Sequence, residues 1–331
     1  MRSLHTKSFS VPIAVSPLNS VPKQGSDDCR FILDLSWPDG SSVNDSISKD
    51  FYLSVKRLTL TYPTVNDIAD RIVQFGPGCL LFKRDLKCAY HQLPVDPYDY
   101  PMLGYSWRDQ LFFDVRLPMG LRSAAMVYQR VTKSVCFMLS QAGCLVLSYL
   151  DDFMGISALG TADQHYALSG SLLQALGLQE TPQKACPPST QVTCLGVLFD
   201  TTNFTMSVTP ARLQELQDVL LPPWLTKKST TKTELQSLIG KLAFVCKCVR
   251  PGHLFLSRIL NTLHSLHRNH HRITSSAEFR KDIRWWLRFL GVYNGVLLIP
   301  SQLWSTPDSI FSTDVCLTGC GRMSPSEYFH V

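Results

Sequence analysis

The chain has 331 residues, 45% hydrophobic and 18% charged, with a mean hydropathy of +0.02. These proportions exclude a disordered chain and predict a soluble globular protein of two or three domains. Eleven cysteines without regular spacing fit reduced thiols better than a disulfide framework. No apolar run reaches the ~18 residues of a membrane span, and the opening MRSLHTKSFSVPIAVSPLNS lacks the apolar core of a secretory signal. The expectation is an intracellular protein of cytoplasm or nucleus, without a membrane partner.

In chain order, VPKQGSDDCRFILDLSWPDGSSVND reads as strand, turn, strand and then a loop. A helix is expected from about 64 to 75, with Thr64 as N-cap and Gly76 and Pro77 as its stop. GCLLFKRDL reads as a buried strand ending at Asp85. A second helix follows, with Ala124, Val127, Tyr128, Val131, Val135, Met138 and Leu139 at helical spacing, and it ends at Gly143. CLVLSYLDDFMGIS then places Asp151 and Asp152 between two short apolar runs, the pattern of a hairpin with both carboxylates at its tip. A third helix is expected over 161–176, and CLGVLFDTTNFTMSVT reads as a hairpin. The irregular alternation predicts an α+β sheet with helices on one face.

After about residue 207 the pattern turns mostly helical, which marks a domain boundary. TKTELQSLIGKLAFVCKCV opens with a capping box, Thr231 and Glu234. It sets Leu235, Leu238, Ile239, Leu242, Cys246 and Val249 on one face. The net charge of +6 is regional: residues 205–290 hold 14 Lys and Arg against 5 Asp and Glu, a face suited to a polyanion or to plain solvation. The pairs Cys246 and Cys248 and Cys316 and Cys320, and the histidines of HSLHRNHH, do not have zinc-finger spacing.

Two ionised carboxylates ~4 Å apart repel by roughly 4 kcal/mol at an effective dielectric of about 20, so positive charge is expected beside Asp151 and Asp152. With Asp85 they form a set of strand-end carboxylates that suits a hard divalent cation, which takes oxygen ligands partly from protein and partly from substrate phosphates. The same residues also suit an ordinary polar turn and a strand end.

Several stretches resemble the motifs of reverse transcriptases, in that family's order: LFKRDLKCAYHQLPV, RLPMGLRSAAMVYQ, YLDDF and CLGVLFD. Together with SPLNSVPKQ the resemblance spans about residues 16–320. DLSWPDGSSVND, LPMGLRSA and LIGKLAFVCKCVRPGHLFLSRIL look most like the tyrosine-recombinase (DIRS-like) retrotransposons. The resemblance implies an α+β right-hand polymerase. Fingers would take 1–58 and 91–124, and a palm with an antiparallel sheet backed by helices 59–90 and 125–206. A helical thumb would take 207–270, and a connection with a truncated RNase H-like start 271–331.

It further implies that Asp85, Asp151 and Asp152 hold two Mg2+ ions, or Mn2+ in their place, with the Leu86 carbonyl as an additional ligand. Lys23 and Arg30 would bind the triphosphate, and Cys88, Ala89 and Tyr90 the incoming nucleotide, with Tyr90 excluding a ribose 2′-OH. Met119 and Gly120 would line the nucleotide and template pocket. Lys184 would protonate departing pyrophosphate, and Leu195 and Gly196 would begin the primer grip. In the thumb, Lys241 and Lys247 would contact duplex phosphates. FSTDVCLTGCG resembles the first strand of an RNase H domain, with Asp314 its first metal-binding aspartate and the remaining acidic ligands absent.

The implied partners are an RNA or DNA template with primer, dNTPs and other parts of a retroelement polyprotein. Cys29 and Ala125 depart from the family pattern, at positions where tryptophan and proline are common. An inactive, retroelement-derived nucleic-acid-binding protein is the alternative reading.

Overall fold

The computed structural model describes residues 14–22, 29–53, 56–264, 266, 272–292, 296–298, 312–316, 319–323 and 328–330. Two antiparallel pairs precede the first helix, β1 (Leu18–Pro22) with β2 (Cys29–Leu33) and β3 (Phe51–Leu53) with β4 (Lys56–Leu58). α1 (Val65–Phe75) starts where the capping residue directs. Thr64 Oγ1 accepts the Asp67 N–H at 3.2 Å, and the Asp67 carboxylate accepts the Thr64 N–H at 2.7 Å. This exchange satisfies two amides that the first helical turn would otherwise orphan. Val65, Ile68, Ala69 and Ile72 form its buried face.

The central sheet gathers β5 (Leu80–Asp85), β8 (Leu145–Tyr149), β9 (Asp152–Ser157) and β10 (Cys186–Ser189) in the antiparallel order β10-β5-β9-β8. Between β5 and β8 lie the hairpin of β6 (Gly104–Trp107) and β7 (Gln110–Phe113), then α2 (Ala124–Gln141); α3 (Ala162–Ala175) follows β9. Side chains alternate across the sheet. Phe82 and Phe153 join Tyr128, Val135 and Leu139 of α2 and Leu173 of α3 in one core. Leu81, Met154 and Ile156 join Ile68 and Ile72 of α1, and Val192 and Phe199, in another. Helices therefore cover both faces, not one as the sequence suggests, because β5 and β9 are apolar on both sides.

The seam of α2 also differs from expectation. Val127 and Met138 are exposed, while Gln129 and Thr132 are buried with Ala124, Tyr128, Val135 and Leu139. Gln129 is retained inside because hydrogen bonds to the neighbouring hairpin satisfy it.

β11 (Gln191–Cys194), β12 (Val197–Asp200) and β13 (Thr205–Val208) form an antiparallel meander. The helical part comprises α4 (Pro210–Gln214), α5 (Pro223–Thr226), α6 (Lys232–Val245), α7 (Gly252–His264) and α8 (Ala277–Val292), with β14 (Ser229–Thr231) paired to β15 (Arg272–Thr274). The Thr231 and Glu234 capping box forms as expected, and every residue of the predicted α6 face is buried. Trp286 of α8 is fully buried, and Phe255 of α7 stacks on Trp285 at 3.8 Å. β16 (Val296–Leu298) returns to β13, and β17 (Ser312–Cys316), β18 (Gly319–Met323) and β19 (Tyr328–His330) form a separate antiparallel sheet. Among the described residues no helix is long and apolar enough to cross a membrane.

Gly155 faces Phe82 in the β5–β9 register, and a Cβ there would fall within the Phe82 ring. Gly160 has nothing within 4 Å of its Cβ position. Gly155→Ala is expected to lower stability by about 1–3 kcal/mol through overpacking. Gly160→Ala should leave the midpoint of chemical denaturation nearly unchanged; equal midpoints for the two variants would contradict this account of the sheet.

Candidate active site

β8 and β9 are joined by two residues, Leu150 and Asp151, so that Tyr149 and Asp152 are the last register pair. Of the two adjacent carboxylates, Asp151 thus belongs to the turn and Asp152 to the strand, whereas the sequence suggests both at the tip. Leu150 has φ +52°, a conformation that costs a non-glycine residue energy. The buried Gln129 side chain holds it there. Leu150 N–H donates to Gln129 Oε1 at 2.7 Å, and Gln129 Nε2 donates to the Ser148 carbonyl at 2.8 Å. Gln129 lies off the apolar seam that spacing predicts for α2, and its burial beside Thr132 comes from packing against the hairpin.

β5 delivers the third carboxylate. Asp85 is the register partner of Asp152, and Leu86 N–H donates to the Asp151 carbonyl at 2.9 Å. The backbone therefore sets all three aspartates at one end of the central sheet. The positive charge that their repulsion demands comes from two lysines. Lys184 Nζ lies 3.1 Å from both Asp85 oxygens, and Lys83 Nζ lies 2.9 Å from Asp152 Oδ1.

Asp85 Oδ1 and Asp152 Oδ1 are buried, each in ionic contact with an ammonium but without an aligned hydrogen-bond donor. Burial pushes the Asp151 carboxyl above its ordinary range, and Asp152 and Asp85 add to the shift. Burial also pushes Asp152 up, against the opposing pull of Lys83. For Lys83 itself burial disfavours the charge, yet Asp152 outweighs it and holds the ammonium above the usual lysine range. As they stand, no three His, Cys, Asp or Glu side chains among the described residues are gathered as a metal-holding group.

Directly after this strand the chain turns left-handed at Cys88 (φ 56°) and Ala89 (φ 26°), and a short 3-10 turn follows. That turn sets Tyr90 edge-on against the fully buried Tyr128, with ring centroids 5.2 Å apart. Gln92 fixes the turn from behind, donating to the Gln179 carbonyl at 2.9 Å and accepting the Gln179 N–H at 2.6 Å. Burial raises the Tyr90 phenol, with Tyr62, Asp151 and Tyr149 contributing. Tyr90 thus lies within electrostatic reach of Asp151, with its ring supported by Tyr128.

Gly120 has φ +99°, and a Cβ there would lie 2.6 Å from the Leu33 carbonyl, so glycine is required on both counts. Its carbonyl accepts from Asn44 Nδ2 at 2.9 Å, which ties the Met119–Gly120 loop to the N-terminal element. Met119 lines a cavity of about 590 Å³ with Leu33, His91, Phe113 and Arg116. Arg30 lies on β2 opposite Val21 and Asp314 on β17 opposite Gly321, while Lys23 falls outside the described residues.

A groove of about 840 Å³ runs between the hairpin and the helical part, lined by Tyr62, Tyr149, Leu195, Cys246, Lys247 and Arg250. The Leu195–Gly196 turn, with φ 49° and 74°, joins β11 to β12 at its edge. Of the two lysines expected to face a duplex, Lys247 lines this groove, but Lys241 is paired with Glu215 at 3.3 Å. The acidic partner sits on the segment after α4, beyond the reach of a spacing argument.

No protein-family model matches the chain. It is 24% identical over 212 residues to the retrovirus-related Pol polyprotein from transposon opus of Drosophila melanogaster, covering 63% of this chain and 20% of that protein. It is 20% identical over 314 residues to polyprotein P3 of Commelina yellow mottle virus, covering 93% of this chain and 14% of that protein. Its fold is similar to the foamy viral protease-reverse transcriptase in complex with double-stranded DNA. There the TM-score is 0.64 and the identity 13%, over 97% of this chain and 52% of that chain. The foamy viral enzyme in complex with an RNA/DNA hybrid gives a TM-score of 0.56 and 15% identity, over 84% and 33% of the two chains. The chain thus spans a fifth or less of these polyproteins and about half or less of these structures. At low identity the chain is similar to a retrovirus-related Pol polyprotein of a transposon and to a viral polyprotein, and it has a mixed α/β fold like that of the foamy viral enzymes.

Proposed function

We propose that the chain is the polymerase part of a retroelement Pol protein, an RNA-directed and DNA-directed DNA polymerase that adds nucleotides from dNTPs to a primer 3′-OH. The observation that carries this reading is the meeting of Asp85, Asp151 and Asp152 at one sheet end, through the Asp85–Asp152 register and the Leu86–Asp151 hydrogen bond. Buried carboxylate oxygens without an aligned donor are hard ligands suited to Mg2+ or Mn2+. Asp85, Asp151, Asp152 and the Leu86 carbonyl would hold two such ions, which when bound stabilise charge on the attacking and leaving oxygens of phosphoryl transfer.

The chain's own residues perform the rest. Lys184 is more than half exposed beside Asp85, placed to give a proton to departing pyrophosphate. Tyr90, braced by Tyr128, would block a ribose 2′-OH; Met119, which lines the cavity of about 590 Å³, would shape the nucleotide pocket together with Cys88, Ala89 and Gly120. Lys23 and Arg30 bind the triphosphate. Leu195 and Gly196 grip the primer, and Lys247 and Arg250 follow the duplex backbone along the groove. The central sheet with α2 and α3 is the palm, 1–58 and 91–124 the fingers and 207–270 the thumb. Within 271–331, the three-stranded sheet that contains Asp314 begins an RNase H-like fold. The motif set favours a tyrosine-recombinase (DIRS-like) retrotransposon as the source.

One observation favours the second reading, a nucleic-acid-binding protein without activity: lysines, not an assembled ligand set, neutralise the carboxylates. Primer extension on a homopolymer template with Mg2+ or Mn2+ separates the two. Extension by the parent is expected, with Asp151→Asn abolishing it while template-primer binding stays largely intact, because duplex affinity comes from phosphate contacts. Absence of extension in both metals would leave the binding protein as the function.

Tyr90→Ala is expected to raise ribonucleotide incorporation relative to deoxyribonucleotide incorporation, read as the ratio of the two efficiencies. An unchanged ratio would remove the gate from Tyr90. Duplex affinity should fall with salt independently of template sequence, and replacing Lys247 and Arg250 together by Ala should reduce the slope of log K against log salt by at most about 2. A parent slope near zero would return these charges to solvent.

A further inference from the structure

Lys83 has no part in the reaction just proposed, yet its ammonium is 2.9 Å from Asp152 Oδ1 and its side chain is only 20% exposed. Strand alternation puts Lys83 on the same face of β5 as Asp85. The ammonium therefore points into the carboxylate cluster. Asp85, whose side chain is 5% exposed, and Asp152 each present an oxygen shut off from water and lacking an aligned donor. A desolvated lysine is costly unless it is matched by opposite charge, and here the match is the oxygen that a divalent cation would need.

We propose that Lys83 is the built-in counter-ion of Asp152, a positioning residue that holds the carboxylates together while no divalent cation is bound and releases Asp152 when one enters. The proposal rests on the reading that Asp85, Asp151 and Asp152 take divalent cations. Ammonium and cation then compete for one carboxylate, so only the fraction of molecules with Asp152 released is competent to bind, and apparent affinity falls by that fraction. The flexible four-carbon stem of lysine lets the charge withdraw without moving the strand. Lys184 cannot replace it in this respect, because it pairs with Asp85 and is 59% exposed. The protein would thus carry its own threshold of cation concentration, below which Asp152 stays paired.

Mn2+ is the probe. Binding is titrated by the loss of the free-ion electron paramagnetic resonance signal, and thermal unfolding is followed in EDTA and in Mn2+. Lys83→Met is expected to bind Mn2+ about tenfold more tightly, since a competing positive charge is gone. It should also unfold at a lower temperature than the parent in EDTA and gain more from Mn2+, while Lys83→Arg behaves as the parent does. An unchanged Mn2+ midpoint in folded Lys83→Met, or a Lys83→Arg that behaves like it, overturns the proposal and leaves the metal site standing. If the parent shows no saturable Mn2+ binding, the metal reading itself fails and the proposal falls with it. Should Lys83→Met fail to fold in either condition, the double variant Lys83→Met with Asp152→Asn decides. Recovered folding supports the counter-ion role, and continued failure overturns it.

Discussion

Mutual repulsion among Asp85, Asp151 and Asp152 is the constraint around which the rest of this structure is arranged. A pair of ionised carboxylates ~4 Å apart repels by roughly 4 kcal/mol at an effective dielectric of about 20, an amount comparable with much of a domain's net stability. An antiparallel register that sets Asp85 opposite Asp152, and a two-residue turn that places Asp151 beside both, therefore need compensation. Lys83 and Lys184 supply it as charge, and Gln129 supplies it as geometry by holding the strained Leu150 turn. Partial burial works in the opposite direction to the lysines: it pushes Asp151 and Asp152 toward their neutral forms, while Lys184 and Lys83 favour the ionised ones.

The opposite face of the same strand shows how the position of Asp85 is secured. Phe82 and Arg84 point away from the carboxylates, and each fills a space that a glycine leaves open. Phe82 lies over Gly155, and a Cβ at Gly170 of α3 would approach the Arg84 guanidinium to 2.7 Å. Arg84 makes two hydrogen bonds to Glu180, at 2.8 and 2.9 Å, and donates to Ser169 at 2.9 Å. A partly buried, doubly hydrogen-bonded pair of this kind adds little net stability but is costly to break, so it acts as a register pin between β5, α3 and the strand approach at Glu180. Thr181 N–H donating to the Asp85 carbonyl at 2.7 Å continues that tie to the segment that carries Lys184. One strand thus presents charge to the site and anchors on its other side.

Much of this was legible in the sequence wherever the information is local. Capping at Thr64 and Thr231, the buried face of α6, the strand ending at Asp85 and the hairpin carrying the paired aspartates all follow from spacing over fewer than about 18 residues. What escaped was set by partners distant in the chain. Gln129 reads as a surface amide until the hairpin is folded against α2, and Lys241 reads as a free basic residue until Glu215 comes beside it. The exposure of Val127 and Met138 has the same origin, since apolar periodicity marks a stripe but the sheet chooses which edge of it to cover. Lys83 was hidden for another reason: a charged residue inside an apolar strand looks like an exposed position, and only the register with β9 shows a carboxylate waiting for it.

That distinction bears on the relatives. At 13% identity to the foamy viral enzyme over 97% of this chain, the backbone path is still similar enough for a TM-score of 0.64. Cores tolerate exchange of one apolar residue for another when volume and pattern are kept, so packing alone places little demand on identity. The relations between the strand ends are less tolerant, because a one-residue slip of β5 against β9 would carry Asp85 to the opposite face of the sheet. Such a slip would also bring Arg84 to the carboxylates and remove Lys83 from them. The register between these two strands is therefore the feature that links sequence, fold and chemistry in this chain: it keeps Lys83 and Asp85 on the face of Asp152 and Arg84 on the face of Ser169 and Glu180.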